Sequence, residues 1–304
     1  MDSTDVHVPV LLDESLAALE IEPGGLYLDA TYGAGGHTRG IVARGGRVVA
    51  FDIDPAVRVD TSDIDSAARL DAALGADVTL VRRNFAELGD ALDDLGIEAV
   101  DGALFDLGVS AMQFDRPERG FSLLRDGPLD MRMNPGEGPS AYDVLARSSE
   151  SELADLIFAS GEERAARRIA RAIVAARQAG RLPTRTLELA RLVAGVVHRS
   201  GTRERIHPAT RTFQALRITV NDELGSLERG LDAAVARLRP RGRLAAISFQ
   251  SLEDRIVKHR LRSDARLRVI TRKPLLPGDE ELARNPRARS AKLRVAERLS
   301  IVRT

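Results

Sequence analysis

The stretch LYLDATYGAGGHTRGIVARGGRVVAFDID, residues Leu26 to Asp54, decides the reading of this chain. An apolar run, Leu26 to Leu28, ends at Asp29-Ala30-Thr31, and a turn containing Gly33, Gly35 and Gly36 follows. A short helical piece, Thr38 to Ala43, leads through Gly45 and Gly46 to a second apolar run, Val48 to Phe51, which stops on Asp52. The order is strand, glycine turn, helix, strand, acid. Such a βαβ unit brings backbone N–H groups close to a ligand at the turn. Glycine permits positive φ and close approach, and an acid ending the second strand can accept both hydroxyls of a ribose. The pattern suits a nucleoside-containing cofactor, although the same glycines also suit a plain tight connection.

Upstream, His7 to Leu19 reads as an extended lead into an amphipathic helix, with Asp13 as a candidate cap. Downstream, a polar, Asp-rich stretch passes into a helical pattern through Ala67, Leu70, Ala73 and Leu74. Val78 to Val81 is the third strand, a helix spans about Ala86 to Leu95, and Val100 to Leu107 is the fourth strand. Strands alternating with helices indicate a parallel, doubly wound sheet. The rhythm then breaks. Met112 to Asn134 is loop-like, helical periods dominate from Ala141 to His198, and the loop SGTRERIHPATR follows. Phe213 to Leu238 reads as helix and Leu244 to Phe249 as a fifth strand. Leu267 to Thr271 and Leu293 to Ala296 can complete the sheet, the last as an antiparallel strand. The helical stretch is therefore read as a domain inserted after the fourth strand.

Bulk composition excludes several classes. The 304 residues hold 43% hydrophobic and 30% charged side chains, ordinary for a globular protein. Lys+Arg and Asp+Glu number 45 each, so net charge does not argue for nucleic acid, and local distribution must decide. There is no cysteine, which removes disulfides, thiolate metal sites and a cysteine nucleophile. No apolar run approaches membrane-spanning length and the N-terminus lacks a basic, apolar leader, so a cytoplasmic location is expected.

Ligands of open α/β sheets bind outside the carboxyl ends of the strands. Four strands here end in suggestive groups: the Gly33 to Gly36 turn, Asp52, Phe85 and Asp106. Singly, Asp52 also fits a helix cap, Phe85 the core and Asp106 a turn. Jointly they suit a nucleoside with a charged tail, Asp52 holding the ribose and Phe85 covering the adenine. Elsewhere, Arg164, Arg167, Arg168, Arg171 and Arg177 mostly fall opposite the apolar face of a helix through Ala166, Ile169, Ala170, Ile173 and Val174, and Arg167, Arg168 and Arg171 among them are candidate phosphate contacts. Arg211, Gln214 and Arg217 recur every three residues and share a face, solvated or RNA-binding. His207 suits a loop role or an RNA contact, His37 a structural role in the glycine turn, and Ser251, with Asp254 after it, a helix cap. No group of residues has metal-ligand spacing.

At this point longer motifs speak. GAGGH at Gly33 to His37, DLGVSAMQ at Asp106 to Gln113, RGFSLLRDGPLDMRM at Arg119 to Met133, HPATRTFQALRI at His207 to Ile218, ISFQSLEDRIVK at Ile247 to Lys258 and NPRARSAKLRVAER at Asn285 to Arg298 resemble the MraW/RsmH methyltransferases. The resemblance runs from His7 to Arg298. It implies a Rossmann-like class I S-adenosylmethionine-dependent methyltransferase fold with an inserted all-helical domain. Residues 1–113 and 214–304 would form the methyltransferase domain, and residues 114–213 the inserted substrate-recognition domain. It implies methyl transfer from S-adenosylmethionine to N4 of a cytidine in the decoding region of small-subunit (16S) ribosomal RNA. Carried over residue by residue, cofactor contacts fall on Gly35, Gly36, His37, Asp52, Phe85, Asp106 and Gln113. No catalytic residue and no metal ligand are implied, and the oligomeric state stays open, a dimer among the options.

Two departures stand out. Gln250 replaces the family's usual His, and Arg58 to Leu74 matches poorly. The tetrapeptide Asp106-Leu107-Gly108-Val109 stands where many amino-methyltransferases carry an NPPY-type sequence. A cytosine amine is a weak nucleophile because its lone pair is delocalised, so the expected site needs placement and a proton acceptor more than a strong base. Candidates are the Asp106 carboxylate and the carbonyls of Asp106 to Ser110, with the target base exposed or flipped. Two rivals remain: a nicotinamide-dependent oxidoreductase, which shares the glycine turn and Asp52, and a non-catalytic RNA-binding assembly protein. Calorimetry with S-adenosylmethionine or a dinucleotide separates them.

Overall fold

The computed structural model describes residues 9–57, 77–109, 111–197 and 207–300. The helix expected through Leu70 and the start of the loop before His207 lie outside those residues. The chain divides into two compact units, residues 1–108 with 224–304, and residues 109–223. The expected insert, 114–213, falls inside the second unit, whose limits lie five residues earlier and ten later.

The first unit opens with α1 (Leu12–Leu19), β1 (Leu26–Asp29), α2 (Gly36–Val42), β2 (Arg47–Phe51), β3 (Val78–Val81), α3 (Leu88–Asp94) and β4 (Val100–Asp106). The second unit holds α4 (Ala111–Asp115), α5 (Ala141–Arg147), α6 (Glu150–Gly161), α7 (Ala166–Gln178), α8 (Thr186–Val197) and α9 (Thr210–Val220). From α10 (Glu223–Arg237) the chain returns to the first unit with β5 (Leu238–Ser248), α11 (Ser251–Ser263), β6 (Leu267–Val269), α12 (Asp279–Arg284) and β7 (Lys292–Arg298).

The seven strands lie in the order β3-β2-β1-β4-β5-β7-β6. Strands β1 to β5 pair in parallel, and β7 runs antiparallel to both β5 and β6. Consecutive strand residues point to opposite faces, which splits the apolar runs between two cores. Leu28, Phe51 and Phe105 join Leu227, Leu231 and Val257 on one face. Tyr27, Ala50 and Leu104 join Ile41, Ile247 and Leu293 on the other. Burial on both faces explains why these strands read as near-continuous apolar runs rather than alternating ones. Strand order reverses between β1 and β4, so their carboxyl ends open a crevice.

Several boundaries differ from expectation, each for a local reason. The helix expected from Ala86 starts as a 3-10 turn, Phe85–Glu87, because the Asn84 side chain accepts the Ala86 N–H at 2.9 Å. The single helix expected over Phe213 to Leu238 is two, broken at Asp222 with φ 47°. β5 begins at Leu238, earlier than the expected Leu244, and β6 stops at Val269. Asp13 does not cap α1: it lies in the first turn, and the cap position is Leu11, whose N–H donates to Glu281 at 2.7 Å. Ser251 is likewise inside α11. Its cap position is Gln250, and the Glu253 carboxylate closes the turn by accepting the Phe249 and Gln250 N–H groups at 2.9 and 3.1 Å.

Among the described residues the named elements of the second unit are helices, packed around Leu145, Leu153, Ile157, Ile169, Ile173, Leu189, Val193 and Leu216. Capping boxes start α5 (Ser140 with Asp143) and α6 (Ser149 with Glu152). The segment 119–133 has little regular structure but is pinned. Arg119 donates to the Arg132 and Met133 carbonyls at 3.1 and 2.8 Å. Asn221 accepts the Met133 N–H at 2.7 Å and donates to the Met131 carbonyl at 2.8 Å. The spacing of Arg211, Gln214 and Arg217 does not make a solvated or RNA-facing stripe. Arg217 is buried against Glu223 through two hydrogen bonds of 2.7 and 2.8 Å, and Gln214 donates to the Ser160 carbonyl. Arg177 also leaves its expected face and donates to the carbonyls of Leu145, Ala146 and Ser148, closing the end of α5. His207 is exposed, and its Nδ1 accepts the Ala209 N–H at 3.2 Å, a loop role.

Candidate active site

Parallel register brings the carboxyl ends of β1, β2, β3 and β4 to one edge of the first unit. From β1 the chain turns through Gly33 and Gly35, both at positive φ (54° and 74°). Gly35 and Gly36 are required by the protein's own packing. A Cβ at Gly35 would come within 2.6 Å of the Tyr32 ring, and one at Gly36 would collide with Pro9. The turn is fastened from β2, since Asp52 accepts the Gly33 N–H at 2.9 Å and the Asp54 N–H at 2.8 Å. These bonds use part of the carboxylate, which has about four acceptor directions, and leave room for hydroxyl donors. Burial still dominates and raises Asp52 to about 6.

At the end of β3, Phe85 packs edge-on against Phe105 with centroids 5.7 Å apart, over Gly230, where a Cβ would lie 2.6 Å from the ring. Phe85 is nevertheless only half-buried, so it serves the core and keeps a surface. At the end of β4, the Asp106 N–H donates to Thr31 Oγ1 at 2.7 Å. Its carboxylate Oδ2 stands 3.7 Å from His37 Nδ1, while Oδ1 is buried with no hydrogen-bond partner among the described residues. Burial first, then the charges of Asp29 and Glu253, push Asp106 up to about 8. His37 itself is buried, its Nε2 lying 3.2 Å from the Val10 carbonyl, which can only accept. Behind it, buried Asp29 accepts Thr38 Oγ1 at 2.6 Å and the Thr31 N–H at 3.1 Å, and burial raises its pKa.

Gly35, Gly36, His37, Asp52, Phe85 and Asp106 thus share one edge. Gln113 is buried on α4 in the second unit. Residue-by-residue reading missed the supports: Asp29 and Thr38 hold the base of the turn, Thr31 ties β1 to β4, and Glu253 adds charge beside Asp106. The available signal was Asp29 ending β1 in a run otherwise apolar. Among the proton-acceptor candidates, Ser110 lies outside the described residues. No helix among the described residues is long and apolar enough to cross a membrane.

A family model, the MraW methylase family, matches residues 4–299. The chain is 49% identical to a ribosomal RNA small subunit methyltransferase H of Geobacter sulfurreducens, over 96% of this chain and 99% of that one. The protein of the same name from Acidobacterium capsulatum is 50% identical over 96% and 98%, and that from Desulfotalea psychrophila 48% identical over 98% and 100%. A solved rRNA methylase from Streptococcus thermophilus aligns over 94% of this chain and 93% of its own at 12% identity, with a TM-score of 0.42. The chain belongs to the MraW methylase family, and its sheet has the Rossmann-like class I methyltransferase order, with the antiparallel β7 between β5 and β6.

Proposed function

We propose that this member of the MraW methylase family transfers a methyl group from S-adenosylmethionine to the exocyclic N4 of a cytidine in the decoding region of 16S ribosomal RNA. The reaction takes place in the cytoplasm, on the small ribosomal subunit. The observation that carries the reading is Asp106 Oδ1, a buried acceptor at the end of β4 with no partner among the described residues, opposite a glycine turn fastened to Asp52. A buried acceptor left unmatched costs about 1–3 kcal/mol, and a donor-bearing or cationic ligand removes that cost. Family membership and the names carried by its relatives support the same chemistry.

In this reading Asp52 accepts ribose hydroxyls, Phe85 offers its free surface to the adenine, and Gly35 and Gly36 keep the turn low. His37 fixes the side of Asp106 that faces it. Gln113 is assigned to the cofactor on its motif alone. S-adenosylmethionine supplies an electrophilic methyl on a positively charged sulfur. The chain's own contribution is placement, and well-oriented reactants gain roughly 7–11 kcal/mol. The carbonyls at 106–109 accept the amine N–H and favour a pyramidal nitrogen, and Asp106 serves chiefly the cofactor. The helical unit at 109–223 recognises the RNA.

The test is transfer of radiolabelled methyl to small subunits, with digestion to nucleosides to identify the product. Label in N4-methylcytidine is expected. Label in another nucleoside overturns the assignment of the target. Calorimetric binding of a nicotinamide dinucleotide in place of S-adenosylmethionine, without transfer, overturns the enzyme class.

A further inference from the structure

Helix α11 separates its charges by face. Both of its acids turn into the protein: Glu253 is buried on the Phe249 and Gln250 N–H groups, and Asp254 holds Arg294 and Lys292 at 2.6 and 3.3 Å. Val257 and Leu261 are buried on the same side, and Arg260 is engaged by Asp232 and Asp264. Arg255, Lys258 and Arg262, spaced by three and four residues, share the outer face and are exposed. Arg262 donates to the Arg272 carbonyl at 3.3 Å, which sets the exposed pair Arg272 and Lys273 at the end of that stripe. Among the described residues, Lys258, Arg262, Arg272 and Lys273 form no ion pair with a carboxylate.

This local excess is set against a chain whose acids and bases balance at 45 each. Of its three lysines, Lys258 and Lys273 fall in the stripe, and Lys292 is the one held by Asp254. The stripe also begins at the candidate site. α11 follows β5 directly, and the Phe249 ring before it lies 3.5 Å from where a Cβ would stand on Gly108. Arg255 to Arg262 spans ~10 Å along the helix, a length over which a nucleic-acid strand presents several phosphates. A solvated face would need no such separation of acids from bases.

We propose that the outer face of α11, with the Arg272-Lys273 turn, is a track for the phosphate backbone of the RNA substrate, an inference that rests on the methyltransferase reading above. Ammonium and guanidinium groups bind phosphate without reading sequence, so the track positions the strand beside the site rather than selecting the base.

The test uses the full chain carrying Lys258→Gln, Arg262→Gln, Arg272→Gln and Lys273→Gln together, titrated with a 16S rRNA transcript at several salt concentrations. Removing these four phosphate-binding charges should flatten the slope of log K against log salt by roughly 3–3.5 units, about 0.7 to 0.9 for each. Affinity at low salt should drop at least ~10-fold. S-adenosylmethionine affinity and thermal melting should match the wild type. The pair Lys258→Gln with Lys273→Gln keeps the Arg262 hydrogen bond and should give about half the effect. An unchanged slope in both variants overturns the track, as does unchanged RNA affinity with lost binding to an acidic ribosomal protein. Failure of the functional reading shows separately, as a wild type that transfers no methyl.

Discussion

Asp52 and Asp106 look alike in sequence, each an acid ending a strand, and the structure gives them different work. Asp52 already accepts two backbone N–H groups and braces the glycine turn. Asp52→Ala should therefore weaken S-adenosylmethionine binding by roughly 10- to 150-fold, since hydrogen bonds to charged groups are worth about 1.5–3 kcal/mol. Calorimetry on a variant shown to be folded checks this, and unchanged affinity would sink the ribose assignment. Because Asp52 titrates near 6, wild-type affinity should also fall as pH drops through that value. Asp106 lacks such partners among the described residues and is raised to about 8. An unfolded aspartate loses its proton near 4 while the folded one keeps it to about 8, so the folded state binds more protons between these values. Its contribution to stability thus becomes less favourable as pH rises through that window. Asp106→Asn removes the titration, and its melting temperature relative to wild type should climb from pH 4 to pH 8 and then level off. A constant difference would show that the group is not displaced. In single turnover, the same variant should regain most of its rate at saturating S-adenosylmethionine if Asp106 serves the cofactor. A loss of about 100-fold or more that persists at saturation, the scale of general-base effects, would make it the proton acceptor instead.

At the level of elements, the glycines that matter to the site are set by packing. Gly230 on α10 leaves only enough room for the Phe85 ring. Gly230→Ala should displace that ring and destabilise the protein by about 1–3 kcal/mol, the usual cost of overpacking. S-adenosylmethionine affinity should fall with it, measurable by chemical denaturation and calorimetry side by side. Retained affinity would exclude Phe85 as the adenine cover. In the helical unit, Asn221 ties Met131 and Met133 to the end of α9. Asn221→Ala should cost about 1–3 kcal/mol through the groups left unmatched. Strands were legible because β1, β2 and β4 are buried on both faces and bounded by glycine and aspartate. The break at Asp222, at φ 47°, was missed although Asn221-Asp222 carried a weak signal, since Asn and Asp visit the left-handed region more than other non-glycine residues; the Arg217–Glu223 pair spans it. The start of α1 was misread because a distant residue acts there, Glu281 reaching Leu11 over 270 positions; that of α11 was misread by one position, the local pair being Gln250 with Glu253 rather than Ser251 with Asp254.

For the molecule as a whole, zero net charge hides an uneven surface, and sequence periodicity found only part of it. The arginine-rich face of α7 was visible from spacing, but spacing could not tell a tethered arginine from an open one. Arg177 is spent on the end of α5, and Arg171 lies 3.5 Å from Glu150 in a pair whose members are well exposed. Arg167 and Arg168 remain exposed with no ion pair among the described residues. They are the residues on which RNA recognition by the helical unit can be tested. Replacing both by Glu should flatten the salt dependence of 16S rRNA binding by roughly 1.5 units, about 0.7 to 0.9 for each phosphate no longer neutralised. It should also weaken binding at low salt more than at high salt, because the missing interaction is driven by counterion release. Both side chains point away from Ile169, Ala170 and Ile173, which are buried, so melting should be unaffected. S-adenosylmethionine affinity should also be unchanged, because neither residue belongs to the proposed cofactor set. An unaltered salt slope, with methyl transfer intact, would leave α7 a solvated face and count against RNA recognition through this helix.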